Sequence, residues 1–202
     1  MPREKTESHE KILAAAREEF LAYGFEKASM RRIGERCGMT AAGLYRHCRD
    51  KEDLFTMLVQ PAAEKIDVWM DAHIQRSITA MEEGRIDLWD DSEIDMMRDL
   101  IYPHMEEYRL LLTKAQGTAY ENYLHTLTEK QLKLMIMFMP MLKEKGYWPQ
   151  HIDAKELYIL LSVYTSAMFE PVIHGYSKEE ALRCLDTLEV FFLPGWKQLL
   201  GV

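Results

Sequence analysis

Gly34 and Gly38, followed six residues later by Leu44, constrain residues 29–51 to two short helices joined by a tight turn. A small residue at Gly34 lets the two helices cross closely, and Gly38 can take the left-handed conformation that a sharp turn needs. Ile33, Met39 and Leu44 are spaced to close a small core beneath the crossing. Thr40 stands at an N-cap position, where its hydroxyl satisfies an open amide of the second helix. The remaining positions are rich in Arg, Lys, Tyr and His, the types that meet DNA phosphates and base edges.

Many helical hairpins share such spacing, so the charge distribution carries the functional argument. Arg31, Arg32, Arg36, Arg46, Arg49 and Lys51 oppose only Glu35 and Asp50 in this window, in a chain of net charge −8. Past residue 55 there are 14 Lys or Arg against 23 Asp or Glu, a net of −9. The cationic face is confined to one small motif, an asymmetry that a structural hairpin does not require and a DNA-binding one does.

At 202 residues, 48% of them hydrophobic, the chain can hold one small and one larger domain with a sizeable core. Cys37, Cys48 and Cys184 are scattered and form no CxxC, which fits a reducing cytoplasm. The polar start, Met1 to Glu10, does not read as a secretory signal. The longest nearly apolar run, Leu157–Phe169, is short for a membrane span and contains Ser and Thr, so a soluble protein is expected.

Helical period dominates elsewhere. Ile12, Leu13, Ala16, Phe20 and Tyr23 mark a first helix ending near Gly24, and Ser29 stands where a cap of the next belongs. Asp50 is placed to cap a fourth helix, which carries Leu54, Phe55 and Leu58, meets Pro61 and resumes to Gly84. Further helices are expected over 92–102, 104–115, 118–145, 153–173 and 177–193, with starts at Ser92, Asp153 and Ser177. Ser177 with Glu180 forms a capping-box pattern. The alternation Met135, Met137, Met139, Met141 could suit a strand, but its flanks have helical period. The expected class is all-α.

Residues 8–58 resemble the DNA-binding domain of TetR-type transcriptional regulators. The matching features are Tyr23-Gly24-Phe25, Ser29-Met30-Arg31-Arg32-Ile33-Gly34, Cys37-Gly38-Met39-Thr40, Leu44-Tyr45-Arg46-His47 and Asp50-Lys51-Glu52-Asp53-Leu54-Phe55. The resemblance implies phosphate contacts from Tyr45, His47 and Lys51, a further backbone contact from Thr40, and a base contact from Arg31. Ser29 joins this candidate set. Ala41, Ala42 and Gly43 would front the recognition helix, small enough to approach thymine methyls but without bidentate hydrogen bonds. Sequence reading is then expected to lean on Arg31, Arg46 and DNA shape. Cys48 stands where the family usually has an aromatic residue, and reads as a smaller core plug.

The resemblance further implies a three-helix helix-turn-helix domain over 1–52 and a larger helical ligand-binding and dimerisation domain over 53–202, about nine helices in all. The pocket would lie among the middle helices, and Trp69, His73, Met96, Met97, Tyr120, Tyr123 and Met137 are the candidates. Fourteen methionines suit an adaptable apolar site. The last two long helices would pair with a second copy through Leu161, Tyr164, Met168, Leu185, Leu188 and Phe192, because helices apolar around most of their circumference need cover on several sides. Glu82, Glu83, Asp90 and Asp91 read as solvated charges. His73, His104, His125, His151 and His174 have no ligand spacing, so no metal or cofactor is expected, and no catalytic constellation stands out. The expected protein is a cytoplasmic homodimeric repressor, released from a palindromic operator by a small apolar effector that biases the fourth helix. The alternative is a DNA-binding protein of the same fold that recruits a protein partner and has no inducer.

Overall fold

The computed structural model describes residues 2–83, 85, 92–146 and 152–201. Gly84, Asp90, Asp91 and His151 lie outside the described residues, as does the side chain of Ser92. The elements in chain order are α1 (Pro2–Lys27), α2 (Met30–Arg36), α3 (Ala41–Leu44), α4 (Lys51–Glu82) and α5 (Ser92–Asp95), a π-helical stretch (Met96–Ile101) and a 3-10 turn (Tyr102–His104), then α6 (Met105–Thr113), α7 (Tyr123–Glu144), α8 (Ala154–Ile173) and α9 (Lys178–Leu200). Among the described residues there is no strand, so the fold is all-α.

The sequence places most boundaries within a few residues. Pro61 does not break α4, nor Pro194 α9, which runs seven residues past its expected end at 193. Both prolines are exposed, so water can solvate the carbonyl one turn back that loses its amide partner. The expected helix over 92–102 is instead one short α-helical turn that widens into the π-helical stretch. Helix α7 starts at Tyr123, not 118, because Ala115 and Thr118 carbonyls turn the chain by bonding the amides of Thr118 and Glu121. Ser177 and Glu180 bond each other's backbone amides as expected, at 3.3 and 2.8 Å, and Asp153 with Glu156 makes a second such box.

The chain forms two compact units. The first comprises Met1–Val68 with His104–Glu121, the second Trp69–Pro103 with Asn122–Val202. The first unit thus continues past residue 52, because Leu54, Phe55 and Leu58 of α4 share the core of Ile12, Ala16 and Phe20. Phe20, Phe25 and Phe55 meet ring to ring at 5.1–6.1 Å. Helix α6 seats on α1 through Arg17–Glu107 at 2.9 Å, and its buried Tyr108 donates to the Ala62 carbonyl at 3.1 Å. Burial pushes the Tyr108 hydroxyl far above the usual phenol range, so it serves as a neutral donor.

In the second unit α7 packs along α8, and α8 against α9. Leu157, Leu161, Tyr164, Met168, Phe169 and Val172 of α8 are buried, and Thr165, also buried, donates to Gln131 at 2.6 Å. Helix α8 has 20 residues, longer than its apolar run, and a mean hydropathy of 1.2, enough by length and composition to cross a membrane. Of its most apolar window, 44% is buried within the fold.

Candidate nucleic-acid interface

The helix-turn-helix is built as its glycines require. Gly38 sits at φ 70°, and the Met39 amide donates to the Gly34 carbonyl at 2.8 Å, closing the turn. A Cβ added to Gly34 would lie 2.7 Å from the Met39 oxygen, so only glycine permits this crossing. Ile33 and Leu44 are fully buried beneath it, and Met39 is half-buried. Thr40 caps α3 as expected, its Oγ1 accepting from the Gly43 amide at 3.1 Å. Ser29 occupies the N-cap position of α2, but its hydroxyl makes no capping bond; its backbone amide donates to Glu19 Oε1 at 3.0 Å.

The expected contact residues fall into distinct settings. Tyr45 is 52% exposed, Arg46, Thr40 and Ala42 are exposed, and Ala41 and Gly43 are half-buried beside them. Regular α-helix ends at Leu44, and the following turn bonds the His47 amide to the Leu44 carbonyl at 2.8 Å, with His47 half-buried. Arg31 reaches outward and pairs only with exposed Glu35, at 3.0 Å. Arg49 pairs with Asp53 at 2.8 Å. This hydrogen bond holds the Asp53 carboxyl below its usual range. The Arg31–Glu35 pair is exposed at both ends and therefore weakly held and salt-screened, so a phosphate can compete for Arg31, whereas half-buried Asp53 also accepts the Arg49 amide at 2.9 Å.

Lys51 differs from expectation. Its Nζ donates to the Glu26 and Ala28 carbonyls at 3.1 and 3.3 Å and lies 4.5 Å from the Phe25 ring centre. An ammonium has three donors, so one remains for a phosphate. Lys51→Ala is therefore expected to weaken DNA binding almost equally across sequences, shallow the salt slope by about one unit, and also lower the melting temperature. A variant that melts like wild type would show that the carbonyl bonds add nothing to the fold.

Sequence reasoning missed Glu19. It is fully buried, accepts from Arg32 Nε at 2.6 Å and stands 3.7 Å from Arg36 Nε. The signal was present: Glu19 lies on the same stripe of α1 as Ile12, Ala16 and Phe20, where a carboxylate needs a cationic partner. Cys48 is buried, and burial, with Asp53 and Asp50 nearby, pushes its thiol up. The thiolate is the reactive form, so this geometry fits a core plug.

The candidates of the larger domain separate too. Trp69 and His73 stack at 5.3 Å with 13° between their planes, both half-buried. Met96 and Met97 are buried in the second unit and Tyr123 is half-buried there. Tyr120 lies in the turn before α7 and belongs to the first unit, and Met137 is 59% exposed, so neither fits the common wall expected for them.

Leu161, Tyr164, Met168 and Leu185 are covered by their own chain, and half-buried Phe192 packs its ring on Tyr164 at 5.3 Å. Leu188 is half-buried. Side chains already buried in the protomer offer little to a partner. The exposed apolar residues of these helices are instead Ile159 and Val163 of α8, 60% and 53% exposed, and Val190 and Phe191 of α9, 77% and 75% exposed.

A glycine-pinned helix-turn-helix with an exposed Tyr45–Arg46 edge and outward Arg31 has the geometry of motifs that read DNA. Residues 12–58 match the sequence model of the bacterial regulatory proteins of the tetR family. The match covers the N-terminal quarter of this chain, the stretch that carries the helix-turn-helix. Over 55 residues the chain is 38% identical to the HTH-type transcriptional repressor Rv1474c of Mycobacterium tuberculosis, covering 27% of this chain and 29% of that protein. Over 61 residues it is 36% identical to the HTH-type transcriptional repressor AcnR of Corynebacterium glutamicum, covering 30% and 32%. The matched stretches thus span about a third or less of these relatives. NalD of Pseudomonas aeruginosa, described as the secondary repressor of the MexAB-OprM multidrug efflux pump, shares the fold with a TM-score of 0.50, at 16% identity over 98% of both chains.

Proposed function

We propose that the protein is a cytoplasmic homodimeric transcriptional repressor that binds a palindromic operator and is released when a small apolar molecule occupies its larger domain. The observation that carries the DNA part is the exposed edge Thr40–Arg46 on a cationic motif within an otherwise acidic chain. Residues 1–52 would supply the contacts, with Ser29, Arg31, Thr40, Ala41, Ala42, Gly43, Tyr45, Arg46, His47 and Lys51 toward DNA. Residues 53–202 would supply effector and partner contacts. Exposed Ile159, Val163, Val190 and Phe191 support a second copy as partner. Beside them lies an open groove of about 810 Å³, lined by Ala167, Glu170, Tyr176, Arg183, Cys184 and Leu188 among others. The stacked Trp69–His73 pair supports an aromatic or apolar effector in the second unit. A hundredfold release from DNA needs about 2.7 kcal/mol of differential effector binding between the two states.

The test is selection of duplexes from a randomised pool by the wild-type protein. A near-palindrome is expected, with half-site centres about 34–36 Å apart. Arg46→Ala should weaken the selected duplex by tenfold or more, about 1–3 kcal/mol if Arg46 reads a base edge. Failure of the wild type to enrich any sequence at moderate salt would remove the assignment.

A further inference from the structure

We propose that Glu19 is a specificity-determining residue for DNA binding: its buried carboxylate withholds Arg32 from phosphates while fixing the start of α2. The inference rests on the DNA-binding reading above. Within the motif the arginines divide by what holds them. Arg31 and Arg49 pair with carboxylates one turn away on the surface, and Arg46 is exposed. Arg32 is committed on three sides: Nε to Glu19 at 2.6 Å, Nη2 to the Lys27 carbonyl at 2.8 Å, and its guanidinium 4.4 Å from the Tyr23 ring centre. Arg36 is held by Glu18 at 3.0 Å and lies 3.7 Å from Glu19 Oε2, an oxygen with no hydrogen-bond donor. Glu19 Oε1 also accepts the Ser29 amide, so the same carboxylate sets where α2 begins and hence where Arg31 projects.

The chemistry follows from how DNA is bound. Each cation that neutralises a phosphate strengthens binding to every sequence alike and steepens its salt dependence. A guanidinium drawn inward lowers that background without touching the residues that face bases. Replacing a whole buried ion pair by apolar residues of similar volume is often neutral for stability, whereas removing one partner is not, so Glu19→Leu is combined with Arg32→Leu and Glu19→Gln keeps an accepting oxygen. Stability and specificity can therefore be separated at this position.

The experiment uses the full chain and two duplexes, one enriched by wild type from a randomised pool and one of the same composition shuffled. For Glu19→Gln and Glu19→Leu, the shuffled duplex should bind threefold tighter or more at about 0.1 M salt, with a salt slope steeper by about one unit. The preference for the enriched duplex should fall tenfold or more. Adding Arg32→Leu to Glu19→Leu should return the shuffled-duplex affinity toward wild type. Parallel loss of both affinities, unfolding of both variants, or an unchanged preference would overturn the proposal, since Glu19 would then be structural only. A wild type that enriches no duplex brings down the DNA-binding reading itself and this inference with it, an outcome distinct from the others.

Discussion

Phe191→Asp is expected to yield folded monomers that have lost most of their DNA affinity, whereas Leu185→Asp is expected to yield little folded protein. Both residues lie on α9, and they differ in what already covers them. Leu185 is 3% exposed within one chain, so an aspartate there is a buried, unpaired charge, costing about 3–5 kcal/mol, comparable to the stability of a marginal domain. Phe191 is 75% exposed, so the isolated protomer loses little beyond its edge-to-face contact with Phe192 at 5.1 Å when it becomes charged. In a two-fold dimer the same change counts twice. Burying a Phe side chain contributes about 1.5–3 kcal/mol, so two lost copies raise the dimer dissociation constant by about a thousandfold. A monomer reads one half-site and forgoes the millimolar effective concentration that the second recognition helix gains from being tethered, about 10²–10⁴ in affinity. Val163→Asp on α8 should act in the same direction. Sedimentation at micromolar concentration decides: a wild type that runs as a monomer, or a Phe191→Asp variant that stays dimeric, removes these helices as the interface.

These two residues also show where the sequence is legible. Helical period marks α8 and α9 as apolar around most of their circumference, and it points to pairing. It cannot rank the faces, because which side is covered depends on how α7 and the π-helical stretch pack against them, and helical period does not encode that packing. Leu161, Tyr164, Met168 and Leu185 therefore read as interface and turn out to be core, while Ile159, Val163, Val190 and Phe191 face outward. The carbonyl bonds of Lys51 are likewise illegible in the sequence, because their partners lie 23 and 25 residues earlier, at and just past the end of α1. The signals that do transfer are local. Thr40 caps the helix it precedes, Ser177 and Glu180 cap each other, and the Gly34–Gly38 spacing closes the turn it suggests. The π-helical stretch after Asp95 has no such local signature and reads as ordinary helix from its apolar spacing.

Gly34→Ala is expected to abolish sequence-preferring DNA binding, and Gly38→Ala to reduce it only modestly, although both glycines belong to one turn. The difference is what a methyl group meets. At Gly34 it would stand 2.7 Å from the Met39 carbonyl oxygen and 3.3 Å from the Thr40 carbonyl carbon, both backbone atoms that cannot rotate away. The crossing must open, which breaks the 2.8 Å bond from the Met39 amide to the Gly34 carbonyl and shifts Thr40, the cap of α3. Overpacking of this kind costs about 1–3 kcal/mol, and a displacement near 1 Å at the recognition segment removes the alignment on which base contacts depend. At Gly38 nothing lies within 4 Å of the added carbon. The cost there is the left-handed backbone alone, about 1–2 kcal/mol, and Gly38→Asn should recover part of it because asparagine tolerates that conformation. Neither change touches the second unit, so both variants should keep the wild-type oligomeric state. The order of affinities for the enriched duplex should be wild type, Gly38→Asn, Gly38→Ala, then Gly34→Ala with no measurable preference over shuffled DNA. A Gly34→Ala protein that binds within threefold of wild type would mean that the helices do not cross this closely, and the geometry assigned to the recognition segment would fall with it.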